Sequence, residues 1–191
     1  ACADISDQPA FEWRGAMIDV SRHFFPISFL KKQVDILSRY KINRLHLHLT
    51  DAAGWRIEIK RYPRLMTEAA WRTEASWKTW WNEGGRRYSA PDSIGAYGGF
   101  YSQTELRDLV AYAAQRGITI VPEIEMPAHS EEVLTAYPEF SCTHEPYKQA
   151  DFCIGNAGSI DFLEHVLDEV MNVFPSEYIH IGGDEAGMAS W

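Results

Sequence analysis

The sequence contains few basic residues, few cysteines and no long apolar run. Its 191 residues include 18 lysines and arginines against 27 aspartates and glutamates, which gives a net charge of −9. A chain of this charge with no basic patch is a poor ligand for a polyanion, so we expect no nucleic-acid partner. No apolar run approaches the roughly 18 residues that a transmembrane helix requires, so we expect no membrane span.

The first residues also lack the basic and apolar regions of a signal peptide. We expect a periplasmic or extracellular protein whose signal peptide has been removed or lies upstream. The three cysteines are Cys2, Cys142 and Cys153, and none belongs to a Cys-x-x-Cys pair that would indicate a metal site. Cys142 and Cys153 flank one loop, so they either form a disulfide in an oxidising compartment or remain two buried thiols.

The sequence does contain a regular alternation of strand and helix patterns. Helical periodicity begins near Pro26, Ser102 and Ser159, and Ser102 with Glu105 predicts a capping box. Because short joints connect strand, helix and strand, we expect the strands to be parallel. Apolar and β-branched runs predict these strands over residues 13–20, 44–51, 118–125 and 178–181.

This order predicts an α/β fold of parallel (β/α) units. Eight such units close a TIM (β/α)8 barrel in about 250 residues. We therefore expect residues 13–191 to form the first four strands of such a barrel, a truncated half barrel, preceded by a linker or the tail of another domain at residues 1–12. A complete doubly wound domain is the alternative, but no phosphate-binding glycine fingerprint follows the first strand.

A long insertion, at roughly residues 52–99, separates the second strand from the second helix. Trp71, Trp77, Trp80 and Trp81 lie within it. Such rings either stack on the C–H faces of a sugar or fasten the long loop to the rest of the domain, and we favour the second interpretation. A loop of this length in a compact domain is commonly functional.

Two neighbouring acids follow the last predicted strand. Gly182 and Gly183 end the strand, and Asp184 and Glu185 come directly after them. Functional side chains of parallel α/β folds collect at the carboxyl ends of strands. The alternative is that the two acids only cap a following helix, because carboxylates are favoured in a first helical turn.

Five segments in order resemble the β-N-acetylhexosaminidases of glycoside hydrolase family 20. The resemblance covers about residues 11–191 and corresponds to the first half of the family's catalytic barrel. The segments are Arg14–Phe24, His46–Asp51 with Gly54–Arg56, Gly98–Tyr101, Val121–His129 and His180–Glu185. Each segment alone is a weak signal, whereas five in the same order are a strong one.

The resemblance implies a retaining exo-β-N-acetylhexosaminidase that releases terminal β-linked GlcNAc or GalNAc. Most retaining glycosidases use two separated carboxylates, whereas in this family the substrate's 2-acetamido oxygen is the nucleophile. Glu185 is then the general acid and base, and Asp184 orients the acetamido group and stabilises its developing charge. His129 and Asp51 support the acid. The implied partner is a carbohydrate, and no cofactor is implied.

Two further residues enter through the resemblance as substrate-binding groups, together with Asp51 and His129. Arg14 matches the arginine that hydrogen-bonds sugar hydroxyls, and the alternative is a salt bridge with Asp19 or Glu123. Ile154 lies where the family has a loop that touches the site. The second half of the barrel, with its further sugar-binding residues, is absent from these 191 residues.

Two other functions remain open at this point. His46 and His48 lie on one face of the second strand, so a metal-dependent barrel hydrolase is one alternative. No further histidine evidently completes such a metal shell, and we expect no metal. The other alternative is a non-catalytic half barrel that binds sugars.

Overall fold

The computed structural model describes residues 2–188. A short π-helical turn spans Leu65–Ala69 and a 3₁₀ turn spans Pro138–Phe140. The strands are β1 (Gly15–Asp19), β2 (Arg44–His48), β3 (Thr50–Asp51), β4 (Gly54–Trp55), β5 (Trp71–Arg72), β6 (Tyr97–Gly98) and β7 (Thr119–Glu123). The helices are α1 (Ile27–Arg39), α2 (Trp77–Asn82), α3 (Gln103–Ala114), α4 (Glu131–Ala136) and α5 (Ala157–Met171).

The central sheet consists of β1, β2 and β7 in that order, with both pairs parallel. Its register places Asp19 beside His48 and His48 beside Glu123. The polar residues at the carboxyl ends of all three strands therefore lie at the same edge. This arrangement confirms the predicted α/β fold with a parallel sheet.

The helix signals in the sequence are confirmed with small shifts of the ends. Ser102 accepts a hydrogen bond from the Glu105 amide while the Glu105 carboxylate accepts one from the Ser102 amide, which is the predicted capping box. Helix α5 begins at Ala157, two residues before the predicted start at Ser159, because Asn156 caps it. The Asn156 side chain accepts a hydrogen bond from the Gly158 amide.

The fourth predicted strand is reduced to a single bridge, so the prediction of a full strand over 178–181 is wrong for the described residues. His180 pairs with Glu123, and its amide donates to Pro122 O at 3.0 Å. The amide of Met126 donates to Ile181 O at 3.1 Å, so the segment still runs parallel to β7. Tyr178 and Ile181 are 55% and 50% exposed, and in residues 2–188 no further strand of the sheet follows this segment.

Apolar side chains on one face of the sheet meet the helices. Leu45 and Leu47 of β2 are fully buried and belong to the main hydrophobic cluster, while His46, between them, faces the other way. On that other face Met17 is 55% exposed. The cluster is completed by Leu30 and Val34 of α1, Leu106 and Leu109 of α3, and Phe162, Val166 and Val170 of α5.

The insertion at residues 52–99 is fastened to the sheet by a buried arginine. Arg56 is fully buried, and its guanidinium donates to five backbone carbonyl oxygens. The acceptors are Val20, Ser21, Ala53, Ala70 and Gly99. Charge-assisted hydrogen bonds of this number compensate for the burial of the cation.

Two of the four tryptophans of the insertion behave as the favoured interpretation predicts, whereas Trp77 is 37% exposed. Trp80 is fully buried and its indole N–H donates to Arg87 O at 2.9 Å. Trp71 is partly buried and donates to Met66 O at 2.9 Å. Trp80 and Trp71 therefore fasten the loop rather than offering free faces.

Two remaining expectations concern the thiols and the membrane. Cys142 and Cys153 form a disulfide, which decides between the two alternatives left open by the sequence, and Cys2 is free and exposed. Across residues 2–188, none of the helices combines the length and the apolar character needed to cross a bilayer.

Candidate active site

The candidate site lies at the edge of the sheet where β1, β2 and β7 end. Asp19 ends β1, Asp51 follows β2 in the short strand β3, and Glu123 ends β7. Glu125 follows two residues later, and its amide donates to Thr50 Oγ1 at 2.8 Å. Asp51, Glu123 and Glu125 line a cavity of 390 Å³ with Met17, Arg22, His46, His48, His180, Gly182 and Asp184.

The acid pair is positioned by a glycine turn against Glu125. Gly182 has φ +66° and Gly183 has φ +100°, a region that favours glycine. The Gly183 amide donates to Glu125 Oε1 at 3.0 Å, which anchors the turn to the end of β7. Asp184 and Glu185 follow with side chains that are 68% and 78% exposed.

His129 brings the two acids together with Asp51. Its Nε2 lies 3.6 Å from Asp184 Oδ2 and 3.3 Å from Glu185 Oε2. Its Nδ1 lies 4.0 Å from Asp51 Oδ1. An imidazole between a buried carboxylate and two exposed ones can hold or pass on a proton. The structure thus assembles the four residues that the sequence proposed as catalytic.

Arg22 is a site residue that the sequence analysis missed. Its Nη2 lies 2.7 Å from Asp51 Oδ2, and its Nη1 donates to Asp19 Oδ2 at 3.0 Å. Asp19 Oδ1 also accepts hydrogen bonds from the amides of Ser21 and Arg22, and these bonds fix the turn after β1. Its location in the sequence could have identified it, because Arg22 follows the carboxyl end of β1.

Arg14 does not lie in this site, and the structure contradicts its assignment to sugar binding. Arg14 precedes the amino end of β1, at the opposite edge of the sheet. Its guanidinium donates to Lys41 O at 2.6 Å and to Phe11 O at 2.5 Å, so the alternative salt bridges with carboxylates are not formed either. Ile154 is partly buried and packs against the hydrophobic cluster, and its role as a site residue stays a prediction.

Burial changes the proton affinity of two carboxylates in the site. Burial raises the pKa of Asp51 to about 7, although the positive charge of Arg22 opposes the change. Burial also raises the pKa of Glu125 to about 8, with a contribution from nearby Asp184. At neutral pH the region below the acid pair therefore carries less negative charge than the number of its carboxylates suggests.

The histidines on the same face contact carboxylates. His46 Nε2 lies 2.6 Å from Glu123 Oε2, and His180 Nδ1 lies 2.9 Å from Glu123 Oε1. His48 is buried, and neither ring nitrogen has a hydrogen-bond partner among residues 2–188. Three sets of side chains are close enough to hold a cation among the described residues: His46, Glu123 and His180; His48, Glu123 and Glu125; His129, Asp184 and Glu185.

Comparison with known proteins identifies relatives for nearly the whole chain. The family model described as glycosyl hydrolase family 20, catalytic domain, matches residues 11–191. The chain is 43% identical over 98% of its length to a beta-hexosaminidase of Porphyromonas gingivalis, and 41% identical over its full length to a beta-hexosaminidase of Akkermansia muciniphila. It covers 23% and 37% of those relatives, respectively.

Solved structures give the same result. One structure described as a beta-N-acetylhexosaminidase superposes with a TM-score of 0.82 at 40% identity, over 97% of this chain and 38% of the other. A GH20 exo-beta-N-acetylglucosaminidase from Vibrio harveyi, in complex with N-acetylglucosamine, superposes with a TM-score of 0.79 at 37% identity. That match covers 94% of this chain and 28% of the other.

Proposed function

The chain belongs to glycosyl hydrolase family 20, and from this premise we propose that it supplies the acid pair of a retaining exo-β-N-acetylhexosaminidase. The proposed substrates are glycans or chitooligosaccharides with a terminal β-linked GlcNAc or GalNAc. The observation that carries the proposal is the contact of Asp184 and Glu185 with one imidazole, that of His129, whose other nitrogen faces buried Asp51.

We also infer that β1, β2, β7 and the segment at His180 are the first four strands of a (β/α)8 barrel. Parallel strands with helices on one face and polar side chains at their carboxyl ends support this inference. The chain covers 38% and 28% of the two matched structures, so those proteins contain enough additional chain for such a barrel.

In the proposed reaction Glu185 and Asp184 have different roles. The substrate's 2-acetamido oxygen attacks the anomeric carbon, and Glu185 donates its proton to the glycosidic oxygen as that bond breaks. Asp184 accepts a hydrogen bond from the acetamido N–H and stabilises the positive charge that develops on the oxazolinium ring. Glu185 then takes a proton from the water that opens the ring. A bound sugar would bury both carboxylates, which are exposed here.

The supporting groups follow from their contacts. Asp51 orients His129, and His129 supports Glu185 through Nε2. We assign sugar-hydroxyl binding to Arg22 instead of Arg14, because Arg22 lines the cavity and its side chain is 32% exposed. Planar guanidinium donors suit adjacent hydroxyl groups.

Two substitutions in the full-length protein test the assignment. Glu185→Gln is expected to lower turnover most for substrates with poor leaving groups, because those substrates need the proton. Asp184→Asn is expected to weaken binding of a thiazoline inhibitor that resembles the oxazolinium ring. Wild-type turnover in the first variant, or wild-type inhibitor affinity in the second, would contradict the role given to that residue.

We propose a periplasmic or extracellular location. The disulfide between Cys142 and Cys153 supports it, since such bonds persist in oxidising compartments. Fractionation of the source cells tests the location, and recovery of the protein only with cytosolic markers would contradict it.

A further inference from the structure

A second hollow lies between the insertion and the segment at residues 147–150. We name it the basic groove and define it by Arg86, Arg87, Lys148, Tyr88 and Tyr147. Its cavity volume is 350 Å³. A neighbouring hollow of 200 Å³ shares Tyr88 and Tyr147 with it.

The charge of the basic groove is opposite to that of the chain as a whole. Three cationic side chains and one acidic side chain line it, whereas the whole chain has a net charge of −9. The acid is Glu131, whose Oε1 lies 3.7 Å from Arg86 Nη1. Arg87 and Lys148 form no ion pair with any residue in the described range 2–188. Two cations of the groove are therefore available to a ligand.

Two tyrosine rings provide an apolar surface between these charges. The rings of Tyr88 and Tyr147 stack with centroids 6.0 Å apart. The guanidinium of Arg87 lies 4.4 Å from the centroid of the Tyr147 ring, which holds it over the groove. An aromatic surface with nearby cations suits a sugar ring that carries an anionic substituent, because the ring stacks while the anion pairs.

The groove is linked to the catalytic residues through two of its lining residues, Glu131 and Tyr88. Glu131 begins α4 two residues after His129. The Tyr88 hydroxyl donates to Ala52 O at 2.6 Å, immediately after Asp51. The groove thus adjoins the chain segments that carry His129 and Asp51, and Asp51 also lines the cavity that contains Arg22.

We propose that the basic groove binds the sugar on the leaving-group side of the scissile bond and selects one that carries a carboxylate or a sulfate. This inference rests on the proposed function, because a leaving group exists only if the bond beyond Glu185 is cleaved. The terminal N-acetylhexosamine occupies the cavity at Arg22, and the next sugar extends across His129 onto Tyr88 and Tyr147.

Matched substrates test this selectivity in the full-length protein. One pair consists of N-acetylglucosaminyl-β1,4-glucuronate and N-acetylglucosaminyl-β1,4-glucose, which differ only in the carboxylate. A second pair consists of N-acetylglucosaminyl-β1,3-galactose with and without a 6-sulfate on the galactose. We expect kcat/KM to be about fivefold to tenfold higher for the better of the two anionic substrates than for its neutral partner at low salt, and this ratio to fall as salt is raised. The pair that shows the preference identifies the anion.

Charge variants assign the preference to the groove. Arg87→Gln combined with Lys148→Gln is expected to reduce the anionic-to-neutral ratio to about one. Lys32→Gln is the control, because Lys32 is an exposed cation on α1, and the ratio is expected to remain that of the wild type. Equal kcat/KM for both members of both pairs, or a preference that survives the double substitution, would overturn the proposal.

Failure of the proposed function is distinguishable from failure of the groove. If no disaccharide is cleaved, the hydrolase assignment fails, and calorimetric titration with the same four disaccharides decides the question of the groove. Tighter binding of an anionic disaccharide that depends on Arg87 and Lys148 supports an anionic-sugar site. Equal binding, or none, refutes it.

Discussion

Replacing Gly182 by alanine perturbs the contact that anchors the acid pair. Gly182 has φ +66°, and a Cβ atom built there would lie 1.9 Å from Oε1 of Glu125. Left-handed backbone costs a non-glycine residue about 1–2 kcal/mol. To relieve the overlap, the Glu125 carboxylate and the glycine turn must also move apart by at least about 1 Å. This movement breaks the hydrogen bond from the Gly183 amide to Glu125. Loss of a hydrogen bond to a buried acceptor adds about 1–3 kcal/mol.

Gly183→Ala is the matched control for this substitution. Gly183 has φ +100°, but a Cβ atom there meets no other atom within 4 Å. Both variants therefore carry backbone strain, and only Gly182→Ala carries the clash. We expect urea unfolding to show about 2 kcal/mol more destabilisation for Gly182→Ala than for Gly183→Ala.

Activity gives the second measurement. A displacement of about 1 Å at Asp184 and Glu185 is expected to lower kcat/KM for an aryl N-acetyl-β-glucosaminide by roughly 100-fold. Glu125→Ala, added to Gly182→Ala, removes the clashing atoms and is expected to restore part of the lost stability. Equal losses in the two glycine variants, with no recovery in the double variant, would refute the steric argument.

Three other predictions follow from contacts in the fold and the site. Arg22→Gln is expected to lower kcat/KM by roughly tenfold to 100-fold, because the sugar binds more weakly. Arg14→Gln, at the opposite edge of the sheet, is expected to leave KM within about twofold of the wild type. Steady-state kinetics of the two variants test both expectations. Arg56→Lys is expected to destabilise the fold by about 3 kcal/mol in chemical unfolding, because lysine offers three donors and cannot reach all five carbonyls. Burial raises the pKa of Glu125 to about 8, so the folded state binds more protons than the unfolded one above about pH 4.5, and stability falls as pH rises from 4.5 to 8. Glu125→Gln is expected to flatten that decline, and an unchanged slope in urea unfolding between pH 5 and pH 8 would contradict it.

The sequence predicted the elements whose signals are local. The alternation in the second strand predicted that His46 and His48 share one face, and the structure confirms it, since both contact Glu123 while Leu45 and Leu47 lie in the hydrophobic cluster. The capping box at Ser102 likewise depends on residues within one helical turn. Such patterns depend on strand and helix geometry alone, so tertiary contacts are not needed to interpret them.

The incorrect predictions involved contacts that the sequence does not encode locally. Arg14 and Arg22 stand on either side of β1, and the motif match favoured Arg14 although Arg22 follows the carboxyl end of the strand. Functional side chains of parallel sheets collect at the carboxyl ends of strands, which favours Arg22 over Arg14. The contact of Arg22 with Asp51 agrees with this. The segment at His180 has strand-like composition, but a ladder also requires partners on its flanks, and among the described residues it has one, β7.

The disulfide and the role of Glu125 also required the structure. Sequence spacing left Cys142 and Cys153 undecided, because an 11-residue separation suits both a bond and two thiols. Glu125 received no role from its motif, yet it anchors the turn that precedes Asp184. Distances between segments that lie about 60 residues apart in the chain have no local signature.

Arg56 also has a consequence for protein engineering. Its side chain joins the end of β1 to three separate points of the insertion. A chimera that exchanges residues 57–99 for the matching stretch of a relative keeps the arginine but changes two of its acceptors, Ala70 and Gly99. Successful grafts must therefore reproduce the positions of those two carbonyl groups, whatever side chains they carry.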